Sequence, residues 1–262
     1  RYAASGATTN EERYGRIPGG RKLKEMFVKG LETEQFEFQL DRPGDVLLSR
    51  RWLFSDNGQS LTLKLNGGAD MPWDLGKGQG NAPGIRESSF VLRNAVAGTN
   101  VVSVRYAAPG NCAGYRLEPL ATNWVDLAQW GVLNAMQTKG ELQKCRSAGG
   151  TPLQVGKAPY ATGIGSHANA FIEYPLDGQF KAFEVTVAVD AVTDGRGTVI
   201  CSINVDGQEK ATSGLINGFS KPVALKVDGL EKARRMLLIV KDAGDGNADD
   251  MADWVEGRLY LK

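Results

Sequence analysis

Apolar residues return at every second position through much of this chain, and that period admits little besides β-sheet. "EQFEFQL" sets Phe36, Phe38 and Leu40 on one side, and "SLTLKL" does the same with Leu61, Leu63 and Leu65. "TNVVSVRY" carries Val102, Val104 and Tyr106, and "KAFEVTVAVD" carries Phe183, Val185, Val187 and Val189. A strand sends successive side chains to opposite faces, so these runs describe strands with one face buried and one wet. Turn signals separate them. Asn66-Gly67 and Asp206-Gly207 each follow such a run, and Asn or Asp before Gly tolerates the positive φ that tight hairpins need. Helical spacing is confined to two short stretches, residues 21–31 and 125–134, which are expected to be helices. Many short strands with Gly-rich turns predict an all-β protein of two antiparallel β-sandwich, jelly-roll-like modules in tandem.

The chain has 262 residues, enough for two domains of ordinary size. Both halves follow one plan: an Asn-Gly or Asp-Gly hairpin, an irregular stretch, a glycine-led apolar strand, then a closing strand ("GYRLEPL", "EGRLYLK"). The reading places a polar lead-in at 1–20, a first β-sandwich at 21–120 and a second module at 121–262. Basic and acidic residues number 31 and 30, a net charge of +1, so nothing draws the chain to nucleic acid. No apolar run reaches the roughly eighteen residues of a membrane span. The sequence opens on Arg1, so a removed secretion signal would leave no trace here. Of the three cysteines, Cys201 lies in phase with Val199 and Ile203 and is expected to be a buried thiol. Cys112 and Cys145 lie in Gly-rich stretches where an oxidising compartment would allow a bond between them.

Chemistry-bearing residues are few. His167 is the one histidine, which leaves no His-containing zinc cluster, and no G-x-S-x-G elbow is present to supply a Ser-His-Asp triad. Glycosidic cleavage needs two carboxylates across a cleft, and no acid here sits in a context that suggests a raised pKa; a non-catalytic protein is expected. Arg196 projects from the Gly-flanked "TDGRGT", where its planar fork suits sugar hydroxyls. Asp190 and Asp194 belong to the same edge, and Asn169 offers a two-way amide. Trp73 lies in the Gly/Pro-rich "ADMPWDLGKGQGNAPG", either as a stacking plate for a sugar ring or folded back on the sandwich. The acidic run "DAGDGNADDMADW" approaches a calcium-loop register through Asp245, Asn247, Asp249, Asp253 and Glu256. Asp250 stands where such a loop needs glycine, and the flanks read as strands rather than helices. What stays open is a sandwich-loop calcium site at Asp245, Asn247 and Asp249, or a solvated turn. Trp254 is read as core.

Three blocks in the second half, "YATGIGSHANAFIEYPLDGQFKAFEVTVAVD", "GRGTVICSINVDGQ" and "DAGDGNADDMADW", resemble the NPCBM domain, carbohydrate-binding module family 51. "TNWVDLAQW" is similar to its opening segment, and the resemblance covers about residues 122–262. Met251 departs from it, standing where the resemblance leads one to expect His. The resemblance implies a β-sandwich joined to secreted bacterial glycoside hydrolases and binding glycans, galactose-type ends among them, without catalysis. It also implies that His167 lies on or near the sugar-binding edge. The partners expected are a glycan and a glycosidase domain in cis. The first half resembles galactose-binding-like jelly rolls only in pattern. A protein–protein or cell-surface adhesion module, and a small glycoside hydrolase, are the alternatives.

Overall fold

A computed structural model describes every residue except 1, 7, 17–21, 55–58 and 76–83. The chain divides between Thr122 and Asn123 into two compact units.

Unit 1 contains β1 (Tyr2–Ser5), β2 (Thr9–Arg16), β3 (Lys22–Leu40), β4 (Gly44–Phe54), β5 (Ser60–Leu65), β6 (Met71–Asp74), β7 (Gly84–Ala95), β8 (Gly98–Cys112) and β9 (Gly114–Pro119). One sheet runs β1-β3-β8-β5-β6 with β2 also on β3; the other is β7-β4-β9. The predicted alternation is what packs them. Phe36, Leu61, Leu63, Val102 and Val104 of the first sheet meet Val46, Leu48, Trp52 and Phe90 of the second in one core. Each such side chain removed from water stabilises the fold by roughly 1.5–3 kcal/mol. A polar network also lies inside. Glu34, 2% exposed, accepts hydrogen bonds from the hydroxyls of Tyr2 at 2.6 Å, Tyr115 at 2.5 Å and Tyr106. The buried Arg50 donates to Tyr106 Oη at 2.8 Å. A buried charge persists only when bonded in this way.

Several expectations fail here. The lead-in at 1–20 is no loose tail over its described residues, since β1 and β2 both pair with β3. β1 is an exposed edge strand, so no buried face stamped an apolar period on its sequence. The helix expected at 21–31 is strand from Lys22 onward, paired with β2 over Lys22–Lys29 and with β8 from Val28; that pairing overrides weak local preference. Trp73 is 0% exposed and packs on Phe90, ring centroids 5.6 Å apart, so it is core and offers no face to a sugar. Residues 76–83 of its loop lie outside the described residues.

Unit 2 contains β10 (Trp124–Asp126), β11 (Asn134–Gln137), β12 (Gln143–Lys144), β13 (Leu153–Val155), β14 (Ala158–Tyr160), β15 (Gly163–His167), β16 (Ala170–Pro175), β17 (Phe180–Val189), β18 (Thr198–Val205), β19 (Gln208–Asn217), β20 (Val223–Asp228), β21 (Arg235–Asp242) and β22 (Met251–Leu261). Its sheets run β12-β15-β22-β17-β20, with β10 on β22, and β11-β16-β21-β18-β19. Phe183, Val185, Val187 and Val189 are buried as their alternation requires, as are Cys201 and Trp254. Asp206 opens the β18–β19 hairpin at φ +48°. β13 and β14 form a small hairpin whose Leu153 and Val155 pack on Ala188 and Val255. The helix expected at 125–134 is a strand followed by turns: the Asp126 carboxylate accepts from Ala128 N at 2.8 Å, and Trp130 N bonds the Asp126 and Leu127 carbonyls. Trp130 then anchors edge-on to Phe180, 4.9 Å between centroids. Cys112, Cys145 and Cys201 are all free thiols. No helix among the described residues is long and apolar enough to cross a membrane.

Candidate functional site

The loops at one end of unit 2 are joined by several groups of polar contacts. Thr138 N donates to the Asn169 carbonyl at 3.1 Å, and Thr138 Oγ1 bonds the Ala168 carbonyl. Asn169 grips Asp242 from both directions: its Nδ2 donates to Asp242 Oδ2 at 2.9 Å, and its Oδ1 accepts from Asp242 N at 2.9 Å. Asn247 Nδ2 donates to Thr138 Oγ1 at 3.0 Å. Thr198 Oγ1 donates to Asp245 Oδ2 at 2.6 Å, while Thr198 N donates to Asp250 Oδ1 at 2.8 Å. The Arg196 guanidinium lies 3.5 Å from Asp249 Oδ2, with its Nε donating to the Thr193 carbonyl at 3.1 Å. The 194–197 and 242–250 loops approach so closely that a Cβ on Gly197 would fall 2.2 Å from the Asp249 carbonyl oxygen.

An aromatic plate completes this end. Phe219 is 86% exposed, yet its mount is rigid: Phe219 N donates to Asn217 Oδ1 at 2.9 Å, and Ser220 Oγ accepts from Asn217 N at 3.0 Å. The ring lies over Gly195, where an added Cβ would sit 2.3 Å from it. Phe219 therefore stands next to Arg196, the residue whose fork the sequence had marked. Sequence reasoning missed it, although "NGFS" joins a turn signal to an aromatic and carried the clue.

The expected site residues separate into two sets. Asn169, Asp194 and Arg196 are exposed on the loop end, and Asp194 closes the 3-10 turn Ala191–Thr193 at φ +53°. His167 and Asp190 lie beneath it. His167 is 3% exposed and its Nδ1–H donates to the Ala168 carbonyl at 2.6 Å, so its ring braces the loop from beneath. Asp190 is 1% exposed; its Oδ1 accepts from Val192 N at 2.6 Å, capping the 3-10 turn. The end of a strand was read as an open edge, but the hairpin of β13 and β14 and the 3-10 turn cover it. Asp245 and Asp249 are engaged by Thr198 and Arg196 of one segment and Asn247 by Thr138 of another, and no three His, Cys, Asp or Glu side chains gather as a metal-binding group among the described residues.

A second feature eluded the sequence. Asp253 on β22 is 0% exposed and faces Asp190, with no well-formed hydrogen bond to either of its oxygens. Burial first, and the facing Asp190 carboxyl second, push Asp253 up to about 9, against a weaker pull from the Gln154 N–H. Two carboxyls in a shared dry site cannot both ionise. Asp253 thus holds a proton at neutral pH and supports the turn that leads to Arg196.

Unit 2 thus closes at this end in polar loops, one exposed aromatic ring and a guanidinium–carboxylate pair. The NPCBM/NEW2 domain family matches residues 121–260, and the chain belongs to that family. It is a non-catalytic carbohydrate-binding module of the kind carried by glycoside hydrolases. It is 30% identical over 127 residues to an alpha-1,3-galactosidase B of Akkermansia muciniphila, and 28% identical over 130 residues to a putative endo-alpha-N-acetylgalactosaminidase of Renibacterium salmoninarum. The matched stretches are 48% and 50% of this chain but 16% and 8% of those proteins. Among solved structures, the CBM51 of Clostridium perfringens GH95 in complex with methyl-galactose is similar at 28% identity and a TM-score of 0.50, over 52% of this chain and 99% of that one. The C. perfringens ZmpB structure of an M60 catalytic domain with two CBM51 domains covers all of this chain and 38% of that chain, at 14% identity and a TM-score of 0.51, a likeness of fold alone.

Proposed function

We propose that the loop end of unit 2 binds terminal galactose-type residues of glycans and thereby holds a glycoside hydrolase domain, part of the same secreted bacterial polypeptide, at its substrate. The exposed ring of Phe219 beside the Arg196–Asp249 pair carries this reading. A pyranose with an apolar C–H face stacks on such a ring, while its hydroxyls reach the guanidinium, the carboxylates and the Asn169 amide. Each neutral hydrogen bond contributes only about 0.5–1.5 kcal/mol net, so single-site affinity is modest. The similarity to the methyl-galactose-bound module and to a galactosidase supports the choice of sugar.

Glycan-array screening of the chain, followed by calorimetric titration with methyl-galactoside, tests the proposal. Phe219→Ala and Arg196→Ala should each weaken binding by about tenfold, the effect of ~1.4 kcal/mol, with unchanged melting temperature. Parallel titrations with calcium and with a chelator test the calcium expectation at Asp245, Asn247 and Asp249. Failure to bind any galactoside under either condition would remove the proposed ligand; full affinity in both variants would remove the proposed site.

A further inference from the structure

The outer face of the larger sheet of unit 1 carries a groove of about 350 Å³, within the range of small-ligand sites, roughly 300–1,000 Å³. Strand register builds it. Ser5, Thr33, Arg105 and Thr62 stand side by side across β1, β3, β8 and β5, and Ala3, Gln35, Ser103 and Lys64 form the adjacent row. Period two sends both rows outward, opposite the core residues Phe36, Val102, Val104, Leu61 and Leu63. The floor is short and rich in hydroxyls: Ser5, Thr33, Thr62 and Ser103, with Ala3 leaving open space. Four strands at their usual spacing make it ~14 Å wide, which suits an extended chain of rings better than a single small molecule.

Charge gives the groove its selectivity. Lys64 and Arg105 keep side-chain exposures of 47% and 68%, and both lean on one carboxylate, Asp70, at 3.3 and 3.9 Å. Glu34, the other acid at the groove, turns inward to its tyrosines. At the groove surface two cations thus share one anion, while the Glu34 carboxylate beneath is joined through Tyr106 to the buried Arg50. The lining includes no aromatic ring, so recognition here works through hydroxyls and charge.

We propose that this groove is a second glycan site, which takes an acidic saccharide chain containing uronic acid. The fork of Arg105 and the ammonium of Lys64 hold the carboxylate, as Asp70 now does in part. The hydroxyls of Thr33, Thr62 and Ser103 and the Gln35 amide meet the ring hydroxyls. The site lies in a different unit from the galactose-type site and takes a different ligand, so the two readings fail separately.

Calorimetric titration of the whole chain with oligogalacturonate, beside methyl-galactoside as control, tests it. Binding is expected at low ionic strength and should weaken as salt is added. The double variant K64A/R105A should lose about tenfold or more in oligogalacturonate affinity, the effect of charged hydrogen bonds, and keep its affinity for methyl-galactoside. Ser103→Arg, which fills the floor while adding positive charge, should also abolish binding, whereas Phe219→Ala should leave it intact. Methyl-galactoside binding without oligogalacturonate binding would overturn this proposal alone, as would oligogalacturonate affinity that survives K64A/R105A or S103R. Loss of both ligands would overturn it together with the galactose reading.

Discussion

Replacing Asp253 by Asn should make this protein more stable at neutral pH, the reverse of what replacing a buried polar residue does in most settings. Asp253 is fully buried and held up to about 9 by burial and by Asp190, whereas in an unfolded chain an Asp ionises near ~3.9. Between those values the folded state keeps a proton that the unfolded state releases. The contribution is therefore complete below about pH 4 and is lost as pH rises toward 9, with a slope of about 1.4 kcal/mol per pH unit. Carried from about pH 4 to pH 7, the loss is roughly 4 kcal/mol. Asparagine has the shape of the protonated acid. Its amide can donate to Asp190 Oδ2, which lacks a partner, and it has no proton to release. D253N should gain up to roughly 4 kcal/mol at pH 7 and should lose the pH slope between pH 5 and 9. Urea denaturation across that range, followed by the fluorescence of buried Trp130 and Trp254, measures both. A D253N protein that is less stable than the parent, with the slope intact, would refute the shared-proton account and point to an ionised pair neutralised by a bound cation.

Three further outcomes follow from the packing. Trp73→Ala should destabilise unit 1 by about 3–5 kcal/mol in denaturant melts and leave methyl-galactoside affinity unchanged, because Trp73 is core. Gly195→Ala should weaken galactoside binding nearly as much as Phe219→Ala in titration, since φ is +81° there and the new Cβ would strike the Phe219 ring. Cys145 is exposed, while burial pushes the Cys201 and Cys112 thiols up. One equivalent of maleimide should therefore react in the native protein and three after unfolding, counted by mass spectrometry.

Strands were legible where a long run buries one face. Val185 and Val187, or Leu61 and Leu63, advertise a period-two core because water lies on one side and protein on the other. Strands without that contrast were not. Tyr2–Ser5 is wet on both faces, and β3 from Lys22 is strand through its pairing with β2 and β8 rather than through its own pattern. At the site, the loops were legible and the direction of their side chains was not. Arg196 and Asn169 lie on the surface as read. His167 and Asp190 sit one layer below; the turn over Asp190 is local, but the β13–β14 hairpin that also covers it lies 30 or more residues away in sequence, where no local window joins it. Phe219 escaped because a lone aromatic in a chain is core more often than not; only the Asn217–Ser220 turn, seen in three dimensions, holds its ring in water.

The central claim is that one end of unit 2 is where glycan binds. Titrating methyl-galactoside into isotopically labelled protein and following the amide resonances tests it most directly. The account predicts shifts concentrated at residues 137–139, 194–198, 217–220 and 242–250, saturating together with one affinity. Shifts scattered over the sheet faces, or centred in unit 1, would contradict it.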